Sequence, residues 1–236
     1  MFQDKVVVVT GGASGIGKTI VQEFKDNNAT VCVIDIQDND YFVGDLSSQE
    51  VISQFVKKVI NDYGKIDILV NNALPLNKGI DACTYQEFNY ALSVGVTAPF
   101  YLSQLFLPYF SKQGSIINII STRAFMSQPN TESYSASKGG LAALTHALAI
   151  SLAGKVRGNS IAPGWIDTES KQYSGSDAKQ HPVQRVGNPL DIANMVLFLS
   201  SEKASFITGE NITIDGGMSK QMIYSDDYGW EYKSSQ

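Results

Sequence analysis

Four consecutive valines, Val6, Val7, Val8 and Val9, run straight into Thr10-Gly11-Gly12-Ala13-Ser14-Gly15-Ile16-Gly17. A short branched apolar run that meets glycines at once is a buried strand turning sharply into a helix. Gly11, Gly15 and Gly17 leave room for a backbone to approach something bulky. They also set unpaired amide N–H groups at a helix N-terminus, where those donors and the helix dipole hold a pyrophosphate.

Strand and helix patterns alternate along the rest of the chain. A helix over 16–27 leads to a strand at 30–35. A second helix, capped by Ser47 or Ser48 with Val51, Phe55 and Val59 on one face, leads to a strand at 66–70. Residues 84–111 read as one long helix distorted at Gly95 and Pro99. Then follow a strand at 115–121, a helix at 132–153, a strand at 157–162, a helix at 190–200 and a strand at 211–215 closed by Gly216 and Gly217. The alternation predicts α/β architecture: a doubly wound parallel β-sheet with helices on both faces, its ligand at the C-terminal ends of the strands.

The bulk properties narrow the function classes. At 236 residues the chain can bury a large core, and no linker or repeat divides it. A net charge of −5 with scattered basic residues argues against a nucleic-acid partner. The longest apolar runs are strand-length, which predicts no membrane span, and the first strand follows Met1 too closely for a signal peptide. Two cysteines, Cys32 in a strand and Cys83 in a loop, form no disulfide framework and point to a reducing cytoplasm. His146 and His181 are too few and too distant for a zinc site, so no metal is expected.

Asp35 closes the second strand, about twenty residues past the glycines, where dinucleotide folds set a carboxylate against the adenosine ribose. That carboxylate repels the extra phosphate of NADP, and neither Ile36 nor Gln37 supplies a cation to neutralise it. NAD(H) is the cofactor expected.

Tyr134 and Lys138 lie four apart on one helix face, and Ser121 ends the preceding strand. A free phenol has a pKa of about 10 and is a poor acid or base near neutrality. An ammonium about 5 Å away, at an effective dielectric of about 20, favours the phenolate by roughly 3 kcal/mol, or about two pKa units. Tyr134 then takes the proton of a substrate alcohol while Ser121 steadies the same oxygen. In reverse, Tyr134 protonates the developing alkoxide.

With these residues in hand, the chain resembles the short-chain dehydrogenase/reductase family over roughly residues 4–218. The marks are TGGASGIG at 10–17, Asp35, Asp45, NNA at 71–73, Ser121, YSASK at 134–138, APG at 162–164, IDT at 166–168 and ITGENITIDGG at 207–217. The resemblance implies a Rossmann fold in a single three-layer αβα domain (1–218) with a built-in substrate site, followed by an extension (219–236). It implies catalysis by Ser121, Tyr134 and Lys138, Lys138 also holding the nicotinamide ribose. It assigns the cofactor to Gly11, Ser14, Gly15, Ile16 and Gly17, to Asp35 at the ribose, to Asp45 at the adenine amino group, and to Ile36, Leu46, Ala73, Tyr134 and Lys138 as further contacts. Asn72 lies along the adenosine ribose, and Pro163, Gly164, Ile166 and Thr168 wrap the carboxamide. A small-molecule alcohol or ketone as substrate and a homodimer or homotetramer as assembly follow from the same likeness.

Three departures stand out. The family's catalytic Asn, which holds a proton-relay water, aligns with Gly95, and the glycine expected after NNA is Leu74. Only ten residues separate Asp35 from Asp45, where the family usually inserts a helix and a strand, so the helix is expected to be lost. Gly95 and Leu74 motivate a rival reading, an NAD(H)-binding sensor or scaffold with little turnover. Reduction of a carbon–carbon double bond is a further alternative that Ser121 and Tyr134 fit less well.

Other residues stay open. Arg123 meets either a substrate carboxylate or phosphate, or a structural ion-pair partner. Trp165 and Phe125 are pocket walls or core. His146 reads as a packed or interface residue and 171–184 as a mobile loop. The extension carries Met222, Tyr224, Tyr228, Trp230 and Tyr232, too aromatic for a disordered tail. It should dock on a partner subunit, at the active-site mouth, or on its own subunit.

Overall fold

The computed structural model describes residues 2–229 and 231. The valine run and Thr10 form β1 (Val6–Thr10), buried along its whole length. Its alternate side chains serve two cores. Val6 and Val8 pack with Phe55, Leu102 and Phe106 on one face of the sheet, Val7 and Val9 with Ile20, Phe24, Ile192 and Val196 on the other. A strand covered on both faces reads as continuously apolar for this reason.

The other strands are β2 (Thr30–Asp35), β3 (Phe42–Val43), β4 (Ile66–Asn71), β5 (Phe110–Ile119), β6 (Val156–Pro163) and β7 (Asn211–Ile214). They pair in parallel in the order β3-β2-β1-β4-β5-β6-β7. The chain winds outward from β1 in one direction and then from β4 in the other. The switch between β1 and β4 opens the crevice where such sheets bind ligands. The helices are α1 (Gly15–Asp26), α2 (Gln49–Tyr63), α3 (Tyr85–Leu92), α4 (Ala98–Phe106), α5 (Glu132–Ser151), the short α6 (Ser176–Lys179) and α7 (Pro189–Ser200). This is the doubly wound αβα arrangement expected of the sequence.

Local differences have physical causes. The expected helix over 84–111 is α3, a π turn at Ser93–Thr97 and α4, ending in a tight turn at Leu107–Tyr109. Pro99 has no N–H to return to the carbonyl of Gly95 four residues earlier, and the wider π turn absorbs that loss. By length and composition alone the run Tyr85–Tyr109 is long and apolar enough to cross a membrane, so the apolar runs are not all strand-length. Here it is a core helix, with Ala98, Leu102 and Phe106 fully buried.

The strand expected at 115–121 starts five residues earlier, at Phe110, and stops at Ile119. Phe110 pairs with Ile66 ahead of a register shift, and Gln113 takes a left-handed φ of 63° within the irregular stretch. Between Asp35 and Asp45 the helix is missing as expected, but a two-residue edge strand survives, pairing Phe42 with Ile34 and Val43 with Asp35. The segment expected to be a mobile loop, 171–184, contains α6 and the buried His181. His146 is exposed on α5.

Candidate active site

At the C-terminal end of β1 the chain turns through Gly11, whose φ is +65°. A Cβ there would sit 2.7 Å from the Ala73 backbone, so the position requires glycine for closeness as well as conformation. The helix that follows has a bare N-terminus. Ser14 makes no side-chain cap on α1 and no acidic residue lies in its first turn. Ser48, Thr84 and Asn188 cap α2, α3 and α7, while α4, α5 and α6, like α1, have no side-chain cap. Uncapped N–H groups facing a cleft form an anion cradle.

That cleft has a volume of about 550 Å³. Twelve of the residues assigned to the cofactor from the sequence line it: Gly11, Ser14, Gly15, Ile16 and Gly17 at the turn, Asp35, Ile36, Asp45 and Leu46 on one side, and Asn72, Ala73 and Thr168 on the other. Tyr134, Lys138, Pro163, Gly164 and Ile166 lie outside this lining. The residues present fit a dinucleotide: a donor-rich turn for pyrophosphate, a carboxylate for ribose hydroxyls and a shaped crevice between them.

Asp35 is only 7% exposed and its carboxylate is held on both oxygens. Oδ2 accepts from the Ala13 N–H and Oδ1 from the Gln37 N–H, each at 2.9 Å. Each oxygen keeps acceptor capacity beyond that one bond, and the residue lines the cleft. Gln37 also donates to Ser14 Oγ at 3.2 Å. Asp45 accepts from the Ser47 N–H at 2.8 Å and from the Tyr90 hydroxyl at 3.4 Å.

Two contributors escaped the sequence reading. Tyr90 reaches the cleft from α3, and nothing in its local pattern separates it from an ordinary helix-surface tyrosine. Thr10 Oγ1 accepts from the N–H groups of both Asn72 and Ala73, at 2.9 and 3.0 Å. Asn72 Nδ2 in turn donates to the carbonyls of Gly11 and Thr10, at 2.9 and 3.2 Å. Asn72 is thus a strut between β4 and the glycine turn. The threonine ahead of the glycines was the available signal.

Ser121, Tyr134 and Lys138 converge beyond the end of β5. Ser121 caps the short turn Thr122–Ala124, accepting from the Arg123 N–H at 3.1 Å. Lys138 is buried and donates from Nζ to the Ile119 carbonyl at 2.7 Å. Its Nζ stands 5.6 Å from the Tyr134 ring centre. Burial pulls the Lys138 ammonium down to about 7. Burial also pushes the Tyr134 phenol up, against opposing pulls from the Ser121 hydroxyl and the Arg123 charge. This differs from the expectation that Lys138 holds the phenol down. In the protein alone, desolvation weakens both charged forms, and the cation acting on Tyr134 is Arg123.

The loop after β6 brings the remaining assigned residues nearby. Gly164 donates its N–H to the Ile214 carbonyl, and a Cβ there would lie 2.6 Å from Asp215 Cβ. Ile166 bridges to Gly187. Thr168 reaches back over Gly15, its Cγ2 3.3 Å from where a Cβ of that residue would stand. Trp165 packs edge-on against Tyr173, with ring centres 4.9 Å apart, while Phe125 is 64% exposed.

At the departures, Leu74 lines the cleft with its side chain largely exposed. Gly95 is buried in the π turn, and a Cβ there would fall 1.7 Å from Ser137 Oγ. That hydroxyl is buried and has no hydrogen-bond partner among the described residues. In the extension Met222 and Tyr224 are exposed and so do not anchor on their own subunit. Trp230 and Tyr232 lie outside the described residues, as does the side chain of Tyr228. Among the described residues no cluster of metal-ligating side chains occurs.

Comparison with known proteins gives concordant matches. A family model described as enoyl-(acyl carrier protein) reductase matches residues 11–219. An uncharacterized oxidoreductase of Thermotoga maritima is 42% identical, over 96% of this chain and all of that protein. A solved apo SCOR enzyme from Clostridium thermocellum is 44% identical, with a TM-score of 0.91 and full coverage of both chains. A 3-ketoacyl-(acyl-carrier-protein) reductase from Brucella melitensis, solved with NADH, is 29% identical with a TM-score of 0.84, over 93% of this chain and all of that one.

Proposed function

Because this chain belongs to the short-chain dehydrogenase/reductase family, we propose that it is an NAD(H)-dependent oxidoreductase acting between a secondary alcohol and its ketone. The observation that carries this reading is the convergence of Ser121, Tyr134 and Lys138 at the end of β5, beside a cleft fitted to a dinucleotide. A hydroxyl and a phenol that face each other address an oxygen, which favours an alcohol or ketone over a carbon–carbon double bond.

The nicotinamide cofactor, when bound, supplies the hydride acceptor or donor. Ser121, fixed by its bond from the Arg123 N–H, orients the substrate oxygen. Tyr134 removes the alcohol proton in oxidation and returns it in reduction. Lys138, held by the Ile119 carbonyl, stands behind the phenol and steadies the phenolate whenever it is itself protonated. Asp35 supports NAD over NADP, since its anchored carboxylate faces the cleft with Ile36 and Gln37 as its neighbours.

Two further parts belong to the same proposal. The enzyme is a homodimer or homotetramer, which the exposed apolar side chains of Tyr85, Phe100 and Ile150 on α3, α4 and α5 support. It works in the cytoplasm, in keeping with the unbonded thiols of Cys32 and Cys83.

The test is nicotinamide absorbance with purified protein over secondary alcohols, polyols, hydroxy acids and the matching ketones, with NAD(H) and NADP(H) in parallel. Turnover with NAD(H) that disappears in Tyr134→Phe is the expected result. Tight NADH binding without turnover of any substrate would favour the sensor reading instead.

A further inference from the structure

The chain contains three arginines. Two have evident structural work. Arg157 is half-buried and donates to the carbonyls of Leu199, Ile207 and Ser201 at 2.7, 3.2 and 3.3 Å, tying β6 to the end of α7. Arg185 forms a two-pronged pair with Asp191, at 2.6 and 2.7 Å, in the first turn of α7.

Arg123 differs from both. It is half-buried, yet its guanidinium donates only to the side-chain oxygen of exposed Gln128 and forms no ion pair among the described residues. The structural ion pair that the sequence left open is therefore absent among these residues. A guanidinium held partly out of water with only a neutral amide for company keeps donors and charge to offer. Its flat fork matches a carboxylate or phosphate.

Its location gives that capacity a use. The backbone N–H of Arg123 is the donor that fixes Ser121 Oγ. Its guanidinium carbon lies 5.9 Å from the centre of the Tyr134 ring. The phenol feels the charge, which pulls its pKa down against burial. An oxygen held between Ser121 and Tyr134 therefore lies within a few bonds of a planar, under-used cation. Gln128, exposed and uncharged, is an easily displaced partner.

Resting on the oxidoreductase reading of this site, we propose that Arg123 selects substrates whose reacting alcohol or ketone carries an anionic group, a carboxylate or a phosphate, a few bonds from the reacting carbon. Arg123 grips the anion while Ser121 and Tyr134 hold the reacting oxygen. The anion's position fixes which carbon faces the hydride.

The experiment compares matched pairs that differ in charge: 3-hydroxybutanoate with its methyl ester, glycerol 3-phosphate with glycerol, and acetoacetate with methyl acetoacetate in the reverse direction. The wild type should favour the anion of at least one pair by about ten- to a hundred-fold in kcat/KM. The pair that shows it tells carboxylate from phosphate. Arg123→Gln should erase that ratio, chiefly through KM, and Arg123→Lys should restore part of it. A wild type indifferent to charge in every pair overturns the proposal. So does an Arg123→Gln variant that lowers both members of a pair equally, the mark of a residue acting on Tyr134 alone. If no pair turns over, calorimetric titration of acetoacetate and its methyl ester into the protein with saturating NAD+ reads the same ratio. An anion preference that depends on Arg123 then keeps the proposal while the turnover reading fails. Equal or absent binding of the two compounds sinks it.

Discussion

Lys138 should make the protein less stable, and Lys138→Met should expose how much. The side chain is 2% exposed, and desolvation draws its ammonium down to about 7 from the ordinary 10.5. A lysine whose folded pKa is depressed binds fewer protons in the native state than in the unfolded one. Its burial therefore subtracts stability in full below pH 7, and the deficit shrinks as pH rises towards 10.5. At about 1.4 kcal/mol per pKa unit the full deficit is about 5 kcal/mol. Met fills a similar volume without that cost, but it strands the Ile119 carbonyl that Lys138 now satisfies at 2.7 Å, an offset of about 1–3 kcal/mol that does not vary with pH. Near pH 7 Lys138→Met should thus be the more stable protein. Its advantage should fall by about 2 kcal/mol between pH 7 and pH 9. Urea unfolding of both proteins at pH 7, 8 and 9 measures the difference, and titrations common to both cancel. A gap that stays flat across this range, or widens with pH, would refute a desolvated lysine at this position.

Three other outcomes follow from the same structure. Gly95→Asn alone should destabilise by about 1–3 kcal/mol, because its Cβ meets Ser137 Oγ. Adding Ser137→Ala should recover at least half of that in urea unfolding, whereas simple additivity would show that the two positions do not collide. Asp35→Ser combined with Ile36→Arg should raise the NADP-to-NAD ratio of kcat/KM at least about tenfold, since it exchanges a repelling carboxylate for a guanidinium at the ribose. An unchanged ratio would remove Asp35 from cofactor choice. Burial pushes the carboxyl of Asp67, 4% exposed, up, but the Val6 N–H it accepts at 2.9 Å and its pairs with Lys65 and Lys5 at 3.1 and 3.2 Å outweigh that and hold it below the usual range. Asp67→Asn should cost about 1–3 kcal/mol at neutral pH, and the gap to wild type should close as pH falls through and below the ordinary carboxylate range, where a depressed carboxyl loses its contribution. A gap independent of pH down to acid unfolding would contradict this.

The fold was legible because its determinants are local and repeated. The valines of β1 announce burial on both faces, and the glycines after them announce the close approach of Ala73 that Gly11 makes. The lining of the cleft was legible for the same reason, each of those residues sitting at a fixed offset from a strand end. Less legible were features set by tertiary contact. The π turn depends on Pro99 and Gly95 being four apart inside a packed helix, which periodicity reports only as distortion. Phe110 joins β5 through its pairing with Ile66, which no pattern around Phe110 encodes. Tyr90 reaches Asp45 across 45 residues of chain. The spacing of Tyr134 and Lys138 gave their proximity but not the desolvation that outweighs it, because burial belongs to the whole layer of elements around α5.

That imbalance carries a consequence for direction. In the protein alone burial drives Tyr134 towards the neutral phenol and Lys138 towards the neutral amine. The Ser121 hydroxyl and the Arg123 charge pull the phenol back. A substrate anion seated on Arg123 cancels one of those two pulls and leaves Tyr134 more firmly protonated. The protonated phenol is the form that donates to a developing alkoxide, so an anionic substrate biases the site towards reduction. For a pair such as 3-hydroxybutanoate and its methyl ester, the pH at which oxidation reaches half its maximal rate should then be higher for the acid. Arg123→Gln should raise the value for the ester to meet it, since that variant removes the same charge by another route. Coincident profiles for the two wild-type reactions, with the variant unshifted, would mean that the Arg123 charge does not reach the phenol.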